Sequence, residues 1–459
     1  MTSLIIAGIV IVLVVTLLIK GFYPQAALFI GGLALLGATA AFDFGEVLSA
    51  DKSTNFAAFD VFKAFCTGFS SRIAGLGLTL MAIGGFSRYM EYVGASGALF
   101  SVFERPLSKI KSPYVLLAAA FLASQCLVVF IPSHAGLALL LMVMLYPILI
   151  RSGVSPLSAL GVIGCCQFMD VGPGAGSSIL AAQIAGMDVS EYFVYYQMPL
   201  WLGMVVIMTF VVVFVQCCWD RYEGWTEKTG AAQAQAARRA TGKESDCAPR
   251  IYAVLPVIPL ILIICFSKVA GSSIRMDVLT AMVISTCVAI LFELIRHRNL
   301  RTVLASFQNF FDGMGKILVG VVSLIVCGEF FASGIIKSGA LATLIAAADS
   351  AGFGLGSMVF FAGLLMIVMA FIMGSGNAAF FSFAPLTPDI AAALGVPVII
   401  LIFPMQIFVS YGRAASPITG AIIAVAGMAG YSPFQVAKRT CIPMGIAVVL
   451  TYIYYYIVF

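Results

Sequence analysis

Arg413, isolated in an apolar stretch, is the residue best placed to do chemistry in this chain. It lies between Phe403 and Ile423 with no other charge in that interval. An arginine at the centre of a membrane span costs about 2.5–3.5 kcal/mol, so it should have a partner. Its planar fork matches a carboxylate through two parallel hydrogen bonds. The partner could be a bound organic anion or an internal acid, Asp170 or Glu329, which a substrate carboxylate could displace. Small polar groups stand at four interruptions of the apolar pattern. Ser133 and His134 lie in Ile131-Pro132-Ser133-His134-Ala135-Gly136, and Ser177 and Ser178 end the break that begins at Asp170-Val171-Gly172-Pro173. Ser375, Gly376 and Asn377 follow Gly374, and Ser416-Pro417 ends the break Tyr411-Gly412-Arg413-Ala414-Ala415. Pro and Gly disrupt helical hydrogen bonding. Non-helical backbone is tolerated at membrane depth only where protein or a water-filled cavity satisfies it. Helix ends facing such a cavity offer bare N–H groups and positive dipole ends to an anion. The pattern predicts non-covalent coordination of a small anion.

Asp170 and Glu329 could each carry a proton or help coordinate a cation, which makes them coupling candidates. His134 could donate to an anion as a neutral imidazole or, protonated, couple binding to pH. Arg88 and Glu91, three apart near a helix end, read as an ordinary surface pair. Several chemistries find no support. The chain has no HExxH, no GxSxG and no paired acid motif, and the glycines of 172–178 lack the Gly-Lys-Ser/Thr ending of a phosphate loop. Two histidines cannot build a histidine-rich metal site. Eleven cysteines, including the neighbours Cys165-Cys166 and Cys217-Cys218, read as small apolar filler. The expectation is a protein that is not an enzyme and holds no cofactor or metal, with Na+ or H+ as the only candidate coupling ion.

The elements that position these residues are membrane helices. Of 459 residues, 62% are hydrophobic and 10% charged, where a soluble chain carries about 25% charge. The mean hydropathy is +1.08. Apolar stretches near the roughly 20 residues that span hydrocarbon recur throughout, clearest at 4–19, 26–41, 193–215, 251–266, 278–294 and 442–458. The first lacks a basic flank and a cleavage site, and reads as a retained helix rather than a signal peptide. The net charge of +5 includes no long basic run, so no nucleic-acid partner is expected. The expected partner is the lipid bilayer.

A faint internal copy organises the chain. Gly97-Ala98-Leu99 recurs as Gly339-Ala340-Leu341, Ser133 as Ser375, Gly153-Val154 as Gly395-Val396 and Ser190 as Ser432, all at an offset of 242. Charge then gives orientation, because Lys and Arg favour cytoplasmic loops. The loop 101–112 carries Arg105, Lys109 and Lys111, while its partner 343–354 has only Asp349. The loop 186–192 carries Asp188 and Glu191, while its partner 428–440 carries Lys438 and Arg439. The bias reverses both times, which predicts two inverted-topology repeats with a substrate site at their interface, the plan of many secondary transporters. The expected division is an N-terminal helix pair (1–60), a first repeat (61–219), a cytoplasmic linker (220–250), a connecting helix pair (251–301) and a second, inverted repeat (302–459). Both termini fall outside.

Gly374-Ser375-Gly376-Asn377-Ala378, Gly412-Arg413-Ala414-Ala415-Ser416-Pro417, Val425-Ala426-Gly427-Met428 and Ser432-Pro433-Phe434 with Lys438-Arg439-Thr440 resemble the anaerobic C4-dicarboxylate carriers of the DcuC type. Ser112-Pro113-Tyr114 and Leu180-Ala181-Ala182-Gln183 extend the likeness over nearly the whole chain. The resemblance implies a multi-pass carrier of the bacterial inner membrane for fumarate, succinate, malate or aspartate. It also implies an all-α fold with two re-entrant hairpins, a scaffold that forms a homodimer, and an elevator movement. Carried over residue by residue, it places Ser375, Gly376 and Asn377 at one hairpin tip and Arg413, Ser416 and Pro417 at the facing break. The first half departs from the family pattern: Pro132-Ser133-His134-Ala135-Gly136 stands where Ser-Ser-Ala-Thr-Gly is expected, and Ser177 replaces an acid. A carrier of the same superfamily for amino acids or monocarboxylates is the alternative these departures raise, and an anion channel is a further one.

Overall fold

Helix length and capping set the architecture. The structure, a computed structural model, describes residues 2–20, 22–42, 44–49, 51–110, 112–225, 248–274, 276–340, 343 and 355–458. Among these, all regular structure is helical, and nine helices are long and apolar enough to cross a membrane. Helices α1 (Thr2–Ile19) and α2 (Pro24–Phe42) open the chain. Next, α3 (Ala57–Arg72) leads into a π turn, Ile73–Gly77, that is broken at Gly75 (φ −101°, ψ −105°), and across this kink α4 (Leu78–Tyr92) follows. Then come α5 (Ala95–Leu107), α6 (Pro113–Val128), α7 (His134–Met144), α8 (Tyr146–Arg151), α9 (Pro156–Gly164), α10 (Gly176–Ile184), α11 (Val189–Tyr192) and α12 (Met198–Tyr222).

The later part repeats this vocabulary. After α13 (Ile258–Cys265), α14 (Val278–His297) and α15 (Leu300–Ser306), α16 (Gln308–Ile317) passes through a second π turn, Leu318–Val322, into α17 (Ser323–Lys337). The chain ends with α18 (Leu355–Met373), α19 (Gly376–Phe383), α20 (Thr387–Leu394), α21 (Ile399–Ala415), α22 (Gly420–Ala429) and α23 (Pro433–Val458). The long rods pack together, α4 on α16 and α17 on α2. Where α17 meets α19 the backbones touch: a Cβ on Gly328 would fall 2.7 Å from the Phe381 carbonyl oxygen. Small residues allow such approach in membrane helices.

Local chemistry explains the four breaks. Ser133 caps α7 by accepting from Gly136 N at 3.2 Å, and Ser375 caps α19 by accepting from Ala378 N at 3.2 Å. A side-chain oxygen in this position satisfies one of the orphan N–H groups of a helix start. Before Ser375, Gly374 takes φ +62°, a left-handed conformation that favours glycine. Residues 165–175 are non-helical between α9 and α10.

Three expectations need correction. The break written as Tyr411 to Pro417 is shorter: α21 continues through Ala415, so Arg413 sits in its last turn and only 416–419 is open. Gly412 is tolerated inside the helix, whereas Ser416 precedes a proline and is forced to extended dihedrals, φ −81° and ψ 127°. The stretch 251–266 is not one α-helix. Arg250–Val257 is 3₁₀ and gives way to α13 beside Pro256 and Pro259. Finally, Asp220, assigned to the linker, belongs to α12 and is 1% exposed. Most of that linker, 226–247, lies outside the described residues, as does the loop 344–354 with Asp349. Every cysteine among the described residues is free.

Candidate functional site

Three helix starts converge on one cavity of about 520 Å³. Ser133 at the start of α7, Gly176 at the start of α10, and Ser375 and Asn377 at the start of α19 all line it. Ala175, which precedes α10, provides no side-chain cap, so the leading N–H groups of that helix lack a side-chain acceptor there. The rest of the lining includes the long helices, and the Glu91 carboxylate lies against the first turn of α7, its Oε1 2.7 Å from where a Gly136 Cβ would be. Arg88 and Glu91 of α4, Lys316 of α16 and Gln25 of α2 face the same space. Amino ends of helices carry partial positive charge, and Arg88 and Lys316 add two full cations to the lining, Arg88 paired with Glu91. Such a chamber suits an anion with more than one acidic group.

Arg88 and Glu91 pair at 3.4 Å, as the i,i+3 spacing predicts. Both are exposed, as a surface pair should be, and both also line the cavity. Lys316 and Gln25 carry no sequence signal comparable to a break. Gln25 is recognisable only as a polar residue in an apolar helix, where its Nε2 donates to Ser323 Oγ at 3.3 Å.

Behind the helix starts lies a dry polar network. Asp170, 4% exposed, accepts from Ser177 Oγ at 2.5 Å and from Gln167 Nε2 at 2.8 Å. Gln406 Nε2 donates to the Asp170 carbonyl at 2.6 Å and to Ser177 Oγ at 3.1 Å. Gln197 joins Ser178, Gly172 and Gln406 through bonds of 2.9, 3.1 and 3.0 Å. A hydrogen-bonded network of this kind holds non-helical backbone in place. Ser177 and Ser178 are therefore fully buried supports of the break, outside the wall of the cavity. Gln167, Gln197 and Gln406 were missed from sequence, since isolated glutamines in apolar runs carry no motif.

Arg413 is 7% exposed and donates from Nη2 to the Gln167 carbonyl at 3.1 Å. Neither internal acid pairs with it among the described residues: Glu329 pairs with Arg72 at 2.6 Å, and Asp170 is taken by Ser177 and Gln167. Arg413 stands directly behind the start of α19, its Cβ 3.6 Å from where a Gly376 Cβ would lie. Its Nε, the Oε1 of Gln167 and the Nδ1 of His134 are buried without hydrogen-bond partners among the described residues. His134 Nε2 meets the Gly164 carbonyl at 3.2 Å, so its ring packs beside the network. Ser416 donates to the Phe371 carbonyl at 2.6 Å, tying the α21 break to α18, while Pro417 is half-buried. The structure thus brings Ser133, Ser375 and Asn377 to the cavity, and sets Arg413, His134, Ser177 and Ser178 behind it.

Broken helices that meet at a cavity inside a bundle of membrane-length helices define a polytopic membrane carrier. The chain belongs to the C4-dicarboxylate anaerobic carrier family, DcuC, whose model matches residues 2–459. It is thus a member of a carrier family rather than of an enzyme family. The anaerobic C4-dicarboxylate transporter DcuC of Escherichia coli K12 is 31% identical over 450 residues, 98% of this chain and 95% of that protein. The probable anaerobic C4-dicarboxylate transporter DcuC of Vibrio cholerae is 31% identical over 428 residues, 93% of this chain and 91% of its own. Among solved structures, the Alcanivorax borkumensis YdaH transporter superposes with a TM-score of 0.59 at 16% identity, covering 93% of this chain and 96% of its own. Neisseria gonorrhoeae MtrF gives 0.57 at 14% identity, covering 93% and 94%. At those identities the likeness concerns the fold.

Proposed function

We propose that this chain is a secondary active transporter that moves C4-dicarboxylates such as succinate, fumarate, malate and aspartate across a bacterial inner membrane by alternating access. The observation that carries the reading is the cavity that three helix starts line together with Arg88 and Lys316. One carboxylate lies against the helix starts, with Ser133, Ser375 and Asn377 as hydrogen-bonding neighbours. The other meets the cations of the rods. Arg413 acts from behind α19, adding a full positive charge to that helix start. The cycle is exchange or cation-coupled symport, with Na+ or H+ as coupling ion and Asp170 and Glu329 as the carboxylates that could carry it. The carrier works as a homodimer.

Two inverted repeats and an elevator movement complete the reading. Supporting the repeats, left-handed glycines recur as Gly94 and Gly339, Gly153 and Gly395, and Gly186 and Gly430, with Gly339 matching Gly94 rather than Gly97, which lies inside α5. Supporting the movement, α19 meets α17 at the bare backbone of Gly328, a smooth contact along which one body can slide. Glu91 in the wall favours a second reading, in which an amino-bearing anion is the preferred cargo.

The test is equilibrium binding to purified protein. Succinate and fumarate are expected to bind and acetate not to. Each cation in this half-open wall contributes about 0.2–1 kcal/mol, so the double variant R88Q/K316Q should weaken succinate roughly 2- to 30-fold. Unchanged succinate affinity in that variant would remove the cations from the site. Binding of an amino acid but not of succinate would favour the second reading.

A further inference from the structure

An ion pair inside the membrane-length rods has no part in the cavity described above. Arg72, the last residue of α3, and Glu329 in α17 approach to 2.6 Å, with side chains still 33% and 19% exposed. Both line a second cavity of about 430 Å³, with Gln183 from α10 and Pro385 and Pro388 from beyond α19. Lys316 of the first cavity and Ala332 of the second are 16 residues apart on the run α16–α17, which at 1.5 Å per residue is about 24 Å. The two cavities therefore lie toward opposite ends of the same helices. Between them, α17 and α19 touch at Gly328.

The second cavity repeats the first in register. At an offset of 245, Gly84, Ser87, Arg88 and Glu91 of the first wall become Glu329, Ala332, Ser333 and Ile336 of the second. At the same offset, Ile317 of the first corresponds to Arg72 of the second. The two π turns, beginning at Ile73 and Leu318, keep that spacing too. Each wall thus holds one arginine and one glutamate, at non-equivalent positions. Glu329 also lines a third cavity, whose wall includes Lys52 and Lys337, the latter donating from Nζ to the Val47 carbonyl.

We infer that the second cavity is the vestibule through which substrate enters or leaves at the opposite membrane face, with Arg72 as its anion-receiving cation and Glu329 as a resident carboxylate that substrate displaces. The inference rests on the alternating-access reading and adds to it the residues of the far side. Exchanging one carboxylate for another keeps the Arg72 guanidinium paired throughout, and the released Glu329, 19% exposed and lining the cavity, turns to the solvent there. The planar fork serves both partners equally well.

The experiment is succinate exchange in proteoliposomes, with half-saturation measured separately from each face for the full chain and for R72Q, E329Q and R72Q/E329Q. Exchange needs no ion gradient, so a lost coupling proton does not enter. R72Q is expected to raise half-saturation at least fivefold at one face, E329Q to lower it at that same face, and the double variant to follow R72Q. If the pair only holds helices together, E329Q will lose transport and thermal stability as R72Q does, and the double variant will recover both. That pattern overturns the inference while wild-type exchange of succinate stands. Failure of the wild type to exchange succinate strikes at the transport reading itself.

Discussion

Replacing Arg413 by alanine should lower succinate transport roughly 10- to 100-fold in protein that still purifies as a folded carrier. A hydrogen bond to a charged group contributes about 1.5–3 kcal/mol, and every 1.4 kcal/mol is about a factor of ten. Arg413 sits behind the start of α19 with its Nε unpartnered and with no direct ion pair to an acid among the described residues. Lysine at this position keeps the charge but loses the fork that reaches the Gln167 carbonyl. R413K should therefore fall between wild type and R413A. Transport rates of folded, reconstituted variants measure this. Wild-type transport by R413A would remove Arg413 from the site.

The second large effect is on stability. Arg439 of α23 is 1% exposed and meets Asp220 of α12 at 2.8 Å. Ser155 and Ser158, at the start of α9, donate to the same carboxylate at 2.6 and 2.8 Å. Three helices from distant parts of the chain are thereby tied at one buried carboxylate. Removing one partner of a buried pair costs about 3–5 kcal/mol, because the other charge is left uncompensated. Glu223, at 2.6 Å from Arg439 but 41% exposed, offsets part of that loss, so D220A should fall near the lower figure. Thermal unfolding of the purified protein should show a clear drop in midpoint for D220A and a smaller one for D220N. An unchanged midpoint would show that the tie contributes nothing.

These two residues show what a sequence reveals and what it conceals. Arg413 stands out because nothing else near it is charged. Ser133 and Ser375 stand out because small polar residues beside Pro or Gly end helices, and both prove to be caps at one cavity. Where the sequence misleads, geometry is the missing ingredient. Gly412 looks like part of a break, but helix α21 passes through it, because a glycine alone lowers helix preference without stopping the chain. Arg88 and Glu91 have the spacing of a solvent pair, and spacing does not say whether the solvent is bulk water or a chamber inside the protein. Arg439 and Asp220 read as members of a basic loop and a linker. Their pairing spans 219 residues of chain and emerges only when α12 and α23 are packed. The glutamines around Asp170 were invisible for the same reason.

The measurement that bears most directly on the central claim is counterflow. Proteoliposomes loaded with unlabelled succinate are diluted into a trace of labelled succinate, against fumarate, malate, an amino acid and a monocarboxylate as competitors. Transient accumulation of label above equilibrium, blocked by fumarate and malate, is the predicted result. Simple equilibration without overshoot, or overshoot only with an amino acid or a monocarboxylate, would contradict a C4-dicarboxylate carrier.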